Sequence, residues 1–418
     1  MHFDIDPHTI FLCLSGSHAY GMSRADSDVD IRGVCVPPRR LRESHYLSFD
    51  QHTVAAQQGT WGDCSAQALE RLLDHPTAGE CYRRSDPFAR ANGTVDLCIY
   101  SIHKFVRMCA ANNPSFLEIL FVPDDAVLFQ TPDWERLREH REIFLSKEVR
   151  HRYVGYAMGQ LKRIKGHREW LLNPPKAAPT RGEFDLPEES VIPADVRNLI
   201  DEAVLKVLRG WGVEDGLDDY LDGAVQDTLR ERMVEFQTTV LRCSEEALDE
   251  KVYALAGASL GLTRDVLFAI KQERRYRAAR KHWTQFLKWK EERNPARAEL
   301  EAKFGFDSKH ASHLIRLLRT GLELMTEGKL RVWRGDAEEL MAIRDGAMTY
   351  DELMEASRRL EDAIRAAVPT CPLPNQPDRE KIDDLLLSIL DRRYSIESDY
   401  SGLEMAIKRQ VTPDPASR

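Results

Sequence analysis

The sequence contains no C-x-x-C pair. Its eight cysteines stand singly, at Cys13, Cys35, Cys64, Cys81, Cys98, Cys109, Cys243 and Cys371. Most sit among apolar neighbours, as small core residues do, so neither a structural zinc nor a disulfide framework is expected. Long apolar runs are missing too: no segment approaches the ~20 apolar residues of a bilayer-spanning helix. A positive balance is also lacking, since 59 Lys and Arg face 68 Asp and Glu for a formal charge of -9. Any polyanionic partner would therefore have to be met by local basic surface. No repeat of fixed period is present, which disfavours a solenoid. No basic leader precedes the strand-like "TIFLCLSGS", and the expectation is a protein of a reducing cytoplasm without membrane association. What the chain does have is 42% hydrophobic residues over 418 positions, enough to build the cores of two or more domains.

The pattern changes along the chain. Up to about residue 126 strand-like runs ("TIFLCLSG", "DVDIRGVCVP", "TVDLCIYSI", "LEILFVP") alternate with turn-rich pieces and one helix near "IHKFVRMCAA". Residues 127–410 read as almost wholly helical, interrupted by a Pro- and Gly-containing loop at 173–190 and a Pro-rich linker at 368–379. Residues 411–418, "VTPDPASR", are expected to be a disordered tail. The fold class expected is α+β, with an N-terminal domain at 1–126 built on a mixed sheet and a large all-α domain after it.

Gly16 to Asp30, "GSHAYGMSRADSDVD", reads as the end of a strand, a tight turn, a short helix and a second strand. Gly16 lets the backbone turn closely, and Ser17 offers a hydroxyl and an N–H to a phosphate near a helix start. In the second strand, alternation places Asp28, Asp30 and Arg32 on one face and Val29 and Ile31 on the other. Two carboxylates side by side repel unless a cation neutralises them. Hard oxygen ligands of this kind suit a magnesium ion that also holds phosphate oxygens.

With these residues in view, Gly16, Ser17, Asp28 and Asp30 resemble the G-S, ten residues, D-x-D signature of the polymerase beta-like nucleotidyltransferase superfamily. More narrowly, "GSHAYGMSRADSDVDIRGVCVPP" with "VDLCIYSIHKFVRMCAANNPSFLEILF" is similar to the RNA repair pathway DNA polymerase beta family. "FGFDSKHASHLIRLLRTG" looks like that family as well. The resemblance implies a third carboxylate from a neighbouring strand. Asp96 in "TVDLCIYSI" matches best, because Val95, Leu97 and Ile99 would face the core; Asp50 and Asp63 compete. It further implies two divalent ions, Mg2+ or Mn2+, held by Asp28, Asp30 and Asp96, and an NTP whose phosphates rest on Gly16 and Ser17. Where some members carry arginines just after G-S, this chain has His18, Ala19 and Tyr20, so Arg24 or Arg32 would supply the positive charge.

Two basic helices, "HRYVGYAMGQLKRIKGHREW" and "KQERRYRAARKHWTQFLKWK", interleave cations with aromatic rings, a composition suited to RNA phosphates and stacked bases. In "FGFDSKHASHLIRLLRTG", Asp307 or Ser308 can cap a helix with an apolar stripe of Ala311, Leu314, Ile315 and Leu318. Lys309, His313 and Arg316 share another face and are expected to turn toward the nucleotide. His310 and His313 lack a third ligand in the sequence and read as polar positions, and Glu118, alone in the apolar "NNPSFLEILF", as a solvated one. The function expected is transfer of NMP from an NTP to an RNA 3′ end, with pyrophosphate released. Alternatives are AMPylation of a protein partner, as in a toxin–antitoxin system, and a non-catalytic nucleotide sensor.

Overall fold

The computed structural model describes residues 3–25, 27–54, 66–84, 95–189, 264–292 and 295–411. It divides into two compact units, one made of Met1–His167 with Leu300–Arg418 and the other of Arg168–Glu299.

The first unit is built on a five-stranded mixed sheet. Its strands are β1 (Thr9–Leu14), β2 (Val29–Cys35), β3 (Gln51–Val54), β4 (Val95–Ser101) and β5 (Val127–Gln130), in the order β3-β4-β2-β1-β5. β2 pairs antiparallel with β1 and parallel with β4, while β3 and β5 close the two edges antiparallel. β1 is buried at every residue and therefore reads as an unbroken apolar run. In β2, Val29 and Ile31 are buried and Asp30 and Arg32 are half-buried, as the period of two requires.

Helices cover this sheet. Ile102–Ala110 starts directly after β4, with the Ser101 side chain accepting from the Lys104 N–H. The run "LEILFVP", expected to be a strand, instead ends the helix Pro114–Leu120. Asn113 caps that helix by accepting from the Ser115 N–H, and Pro114 occupies its first turn. Cap chemistry decides here because a short apolar run fits a buried strand and a buried helix equally well. The strand comes afterwards, as β5, and packs its Val127 and Leu128 inside.

The described α-helices from Val149 onward follow the helical pattern expected there. They are Val149–Leu172, Arg264–Glu292, Pro295–Phe304, Ser308–Glu327, Ala337–Arg344, Tyr350–Ala366 and Arg379–Val411. Ser308–Glu327 is capped by Asp307, whose side chain accepts from the His310 N–H, and ends at Gly328 with φ 69°. Its stripe of Ala311, Leu314, Ile315 and Leu318 is fully buried. The last helix reaches the sheet unit: Arg392 binds Asp133 at 2.7 Å and the Tyr394 hydroxyl donates to the Pro37 carbonyl. The helical runs expected within 195–256, and residues 412–418 of the tail, lie outside the described residues. No helix among the described residues is long and apolar enough to cross a membrane.

Candidate active site

The turn between β1 and β2 is made possible by one glycine. Gly16 has φ 61° and ψ -139°, a conformation that L side chains avoid. A Cβ at that position would stand 2.6 Å from Oδ2 of Asp30. The close approach continues at Ser15, whose N–H donates to the Asp30 carbonyl at 2.8 Å. Ser17 then opens the short helix Ser17–Tyr20. The strand end, the glycine turn and the Asp30 carboxylate are thus one tight construction.

The parallel register of β2 and β4 sets Asp30 directly opposite Asp96. Asp28 sits just before β2 and is exposed, as is Asp96. Leu97 and Ile99 are buried, which leaves Asp96 on the polar face of the strand. Of its competitors, Asp50 lies at the other end of β4, where its carbonyl accepts from the Ser101 N–H. Asp63 is outside the described residues.

Arg32 bridges the two strands. It donates to the Asp96 carboxylate at 3.0 Å and to the Asp96 carbonyl at 2.8 Å, and approaches the Asp30 carboxylate at 3.5 Å. Burial raises the pKa of Asp30, Arg32 opposes that shift, and the like charges of Asp96 and Asp28 add to it. Lys309 is near enough to lower it in part. A carboxylate pushed toward its neutral form by burial and by two neighbouring carboxylates is a group that an added cation would stabilise. The donor set is all oxygen, as Mg2+ and Mn2+ prefer, and the glycine leaves the carboxylate accessible from the turn. The residues present fit the divalent ions that the superfamily implies.

The rest of the turn is held from the C-terminal helices. The Tyr20 hydroxyl donates to Glu118 at 2.6 Å, Arg316 donates to the same carboxylate at 2.6 Å, and the guanidinium lies 3.8 Å over the Tyr20 ring. Arg316 is 2% exposed and Glu118 7%. Glu118 is therefore a buried ion-pair partner, not a solvated residue. Burial works against the Arg316 charge, but Glu118 together with Tyr20 and Tyr153 more than offsets it and raises the pKa. The Arg334 N–H donates to the Tyr20 carbonyl, the Trp333 ring packs on Gly21, and Arg24 pairs with Asp345 at 2.6 Å.

The predicted cations therefore occupy three different settings. Lys309 is exposed on the side of Asp30. His313 has its pKa lowered to about 3, chiefly by burial and then by Arg316, so it is neutral at pH 7 and accepts from Arg316 at 3.4 Å. Direct contact of Arg316 with a nucleotide would require breaking its pair with Glu118. Spacing on a helix cannot reveal this, because the partner is 198 residues away in sequence. Sequence reasoning also missed Trp333, and the signal it had for Glu118 was a lone charge in an apolar helix.

His18, beside Ser17, is 2% exposed and has its pKa lowered to about 4 by burial, with His75 contributing. An unfolded His protonates near 6.5 and this one near 4, so stability is complete above about pH 6.5 and is lost as pH falls toward 4. At 1.36 kcal/mol per unit the ceiling is about 3 kcal/mol. His18→Gln is expected to flatten the fall in melting temperature between pH 6.5 and 4. Parallel curves for the variant and the parent would refute it.

Comparison with known proteins adds a family to this geometry. Residues 3–171 match the RNA repair pathway DNA polymerase beta family. The matched span contains all five strands, the turn and the three carboxylates. The chain is also similar to "Uncharacterized 38.9 kDa protein in nrdC-mobD intergenic region" of Enterobacteria phage T4, with 25% identity over 164 residues. That similarity covers 38% of this chain and 40% of the phage protein. No solved structure matches.

Proposed function

We propose that the protein is a divalent-metal-dependent nucleotidyltransferase that moves NMP from an NTP to a ribose hydroxyl at an RNA 3′ end. The observation that carries the reading is the placement of Asp30 opposite Asp96 beside the Gly16–Ser17 turn. The polymerase beta-like family match supports nucleotidyl transfer.

In this reading Ser17 binds phosphate oxygens through its hydroxyl and backbone N–H, and Gly16 leaves the room a side chain would fill. Asp28, Asp30 and Asp96 would hold the two ions, which when bound supply charge neutralisation for the triphosphate and lower the pKa of the attacking hydroxyl. Arg32 orients Asp30 and Asp96, and Lys309 adds positive charge for the phosphates. The bond from the acceptor oxygen to the α-phosphorus forms as the bond to the bridging β-oxygen breaks. Pyrophosphate leaves, and the hydroxyl proton passes to the Asp96 carboxylate.

RNA is preferred as acceptor because the helix Arg264–Glu292 exposes Arg280, Lys281 and Lys290 and interleaves them with half-buried Trp283 and Trp289. Cations interleaved with aromatic rings suit a sequence-tolerant strand contact. The test supplies each labelled NTP with Mg2+ or Mn2+ to the full chain and offers RNA ending in a 3′-hydroxyl, RNA ending in a 3′-phosphate, or protein. Label on the 3′-hydroxyl RNA alone is expected. Label on protein alone would replace the acceptor, and no transfer to any acceptor would favour a nucleotide sensor.

Ser17→Ala is expected to raise the KM for NTP roughly tenfold with little change in kcat, since a hydrogen bond to a charged phosphate contributes about 1.5–3 kcal/mol. Steady-state kinetics check it; an unchanged KM would remove Ser17 from the phosphate site.

A further inference from the structure

A second group of donors, which includes none of the three aspartates, lies in the first unit. His167 and His310 with Asp307 place one ligand atom each within 4.8 Å of the others. His310 Nε2 is already 3.6 Å from Oδ2 of Asp307, and His167 Nδ1 is 4.0 Å from Oε1 of Glu301. Asp307 and Glu301 are 3% and 2% exposed, whereas the two imidazoles are partly accessible.

We propose that His167, Asp307 and His310, with Glu301 as a fourth donor, form a zinc site that ties the helix Val149–Leu172 to the start of the helix Ser308–Glu327. Two imidazoles and carboxylates are the donor set of zinc rather than of the hard ions, which bind through oxygen. Zinc at ~2.0–2.1 Å from its ligands sets donors ~3.4 Å apart in a tetrahedron. The Asp307 and His310 atoms are close to that spacing already, and small side-chain rotations of His167 and of Glu301, 4.0 Å from it, would close the set. The Asp307 carboxylate has one oxygen occupied by the helix cap, accepting from the His310 N–H at 3.0 Å, which aims the other at the imidazole. The cap thus fixes the orientation of a metal ligand.

The site goes beyond nucleotidyl transfer and does not depend on it. Its consequence is positional: Lys309 stands between two of the ligands in sequence and lies near Asp30 in space. An ion here would fix the helix start that carries Lys309.

The experiment is titration of the metal-stripped full chain with Zn2+ against a chromophoric chelator, with melting temperature followed in parallel. The expected result is one tight equivalent per chain and a rise in melting temperature. Asp28→Asn with Asp30→Asn should leave that equivalent in place, whereas His167→Gln and His310→Gln should each weaken it roughly 100-fold. Co2+ in the parent chain should give the intense visible bands of a tetrahedral site, a readout that stands even if a histidine variant fails to fold. Less than one equivalent of zinc, absence of those cobalt bands, or zinc binding lost only with Asp28 and Asp30 would overturn the proposal. Absence of transfer activity in the parent chain with zinc binding intact would count against the proposed function alone.

Discussion

Asp28→Asn combined with Asp30→Asn is expected to lower nucleotidyl transfer on the order of 10³-fold or more while the fold persists. The physical reason for a persisting fold is that the Asp30 charge is one the fold itself does not favour. Burial and the charges of Asp96 and Asp28 push the Asp30 carboxyl above its ordinary pKa. Its contribution to stability is therefore present below the unfolded value near 3.8 and lost as pH rises through the folded value. At pH 7 the ionised group is a cost that asparagine removes. In the absence of divalent ions the variant should melt no lower than the parent. Added Mn2+ should raise the melting temperature of the parent and leave the variant unchanged. Pyrophosphate release and thermal melting check the two halves independently. Transfer at the parental rate would remove both aspartates from the metal site, and a lower melting temperature would make the lost activity a folding defect.

Glu118→Ala is expected to destabilise the protein by about 3–5 kcal/mol, because it strands the Arg316 guanidinium in a site that is 2% exposed. The Tyr20 hydroxyl loses its acceptor at the same time. Since Tyr20 ends the helix that Ser17 begins, the disturbance passes to the phosphate turn, and Arg316→Ala should lower activity by roughly an order of magnitude or more. Replacing both partners separates packing from charge. Glu118→Leu with Arg316→Met removes the buried pair without leaving a lone charge, and stability should recover most of the loss, short of the parental level by about 1–3 kcal/mol for a Tyr20 hydroxyl without its acceptor. Activity restored with stability makes Arg316 a positioning residue acting through Tyr20. Activity still lost in a stable double variant would give Arg316 a direct part in holding nucleotide. Chemical denaturation and kinetics on the three variants decide it.

The sheet domain was legible where the pattern is local and strict. Alternation in "DVDIRG" put Asp30 and Arg32 opposite Val29 and Ile31, and the same rule selected Asp96 in "TVDLCIYSI". Pattern alone failed at "LEILFVP", a strand-like run that belongs to the helix started by the Asn-Pro of "NNPSFLEILF", itself legible as a helix start. It also passed over β3 and β5, which are four residues each and too short to carry a period. The cap and apolar stripe of Ser308–Glu327 were legible because both depend on residues within the helix. Its polar face was less so: Lys309, His313 and Arg316 share a face, yet one is exposed, one is neutral and one is buried against Glu118.

By itself, then, the sequence determined which residues could form a carboxylate pair beside a glycine turn, and which helices could exist. Both are questions of backbone geometry over a few residues, where period and cap chemistry act without regard to the rest of the chain. Only the tertiary structure decided that Asp96 stands directly opposite Asp30, which charge answers Arg316, and that His310 lies beside His167. Those pairings join residues tens to hundreds of positions apart, and burial sets their charge states. Burial belongs to the packed molecule, and no window of sequence contains it.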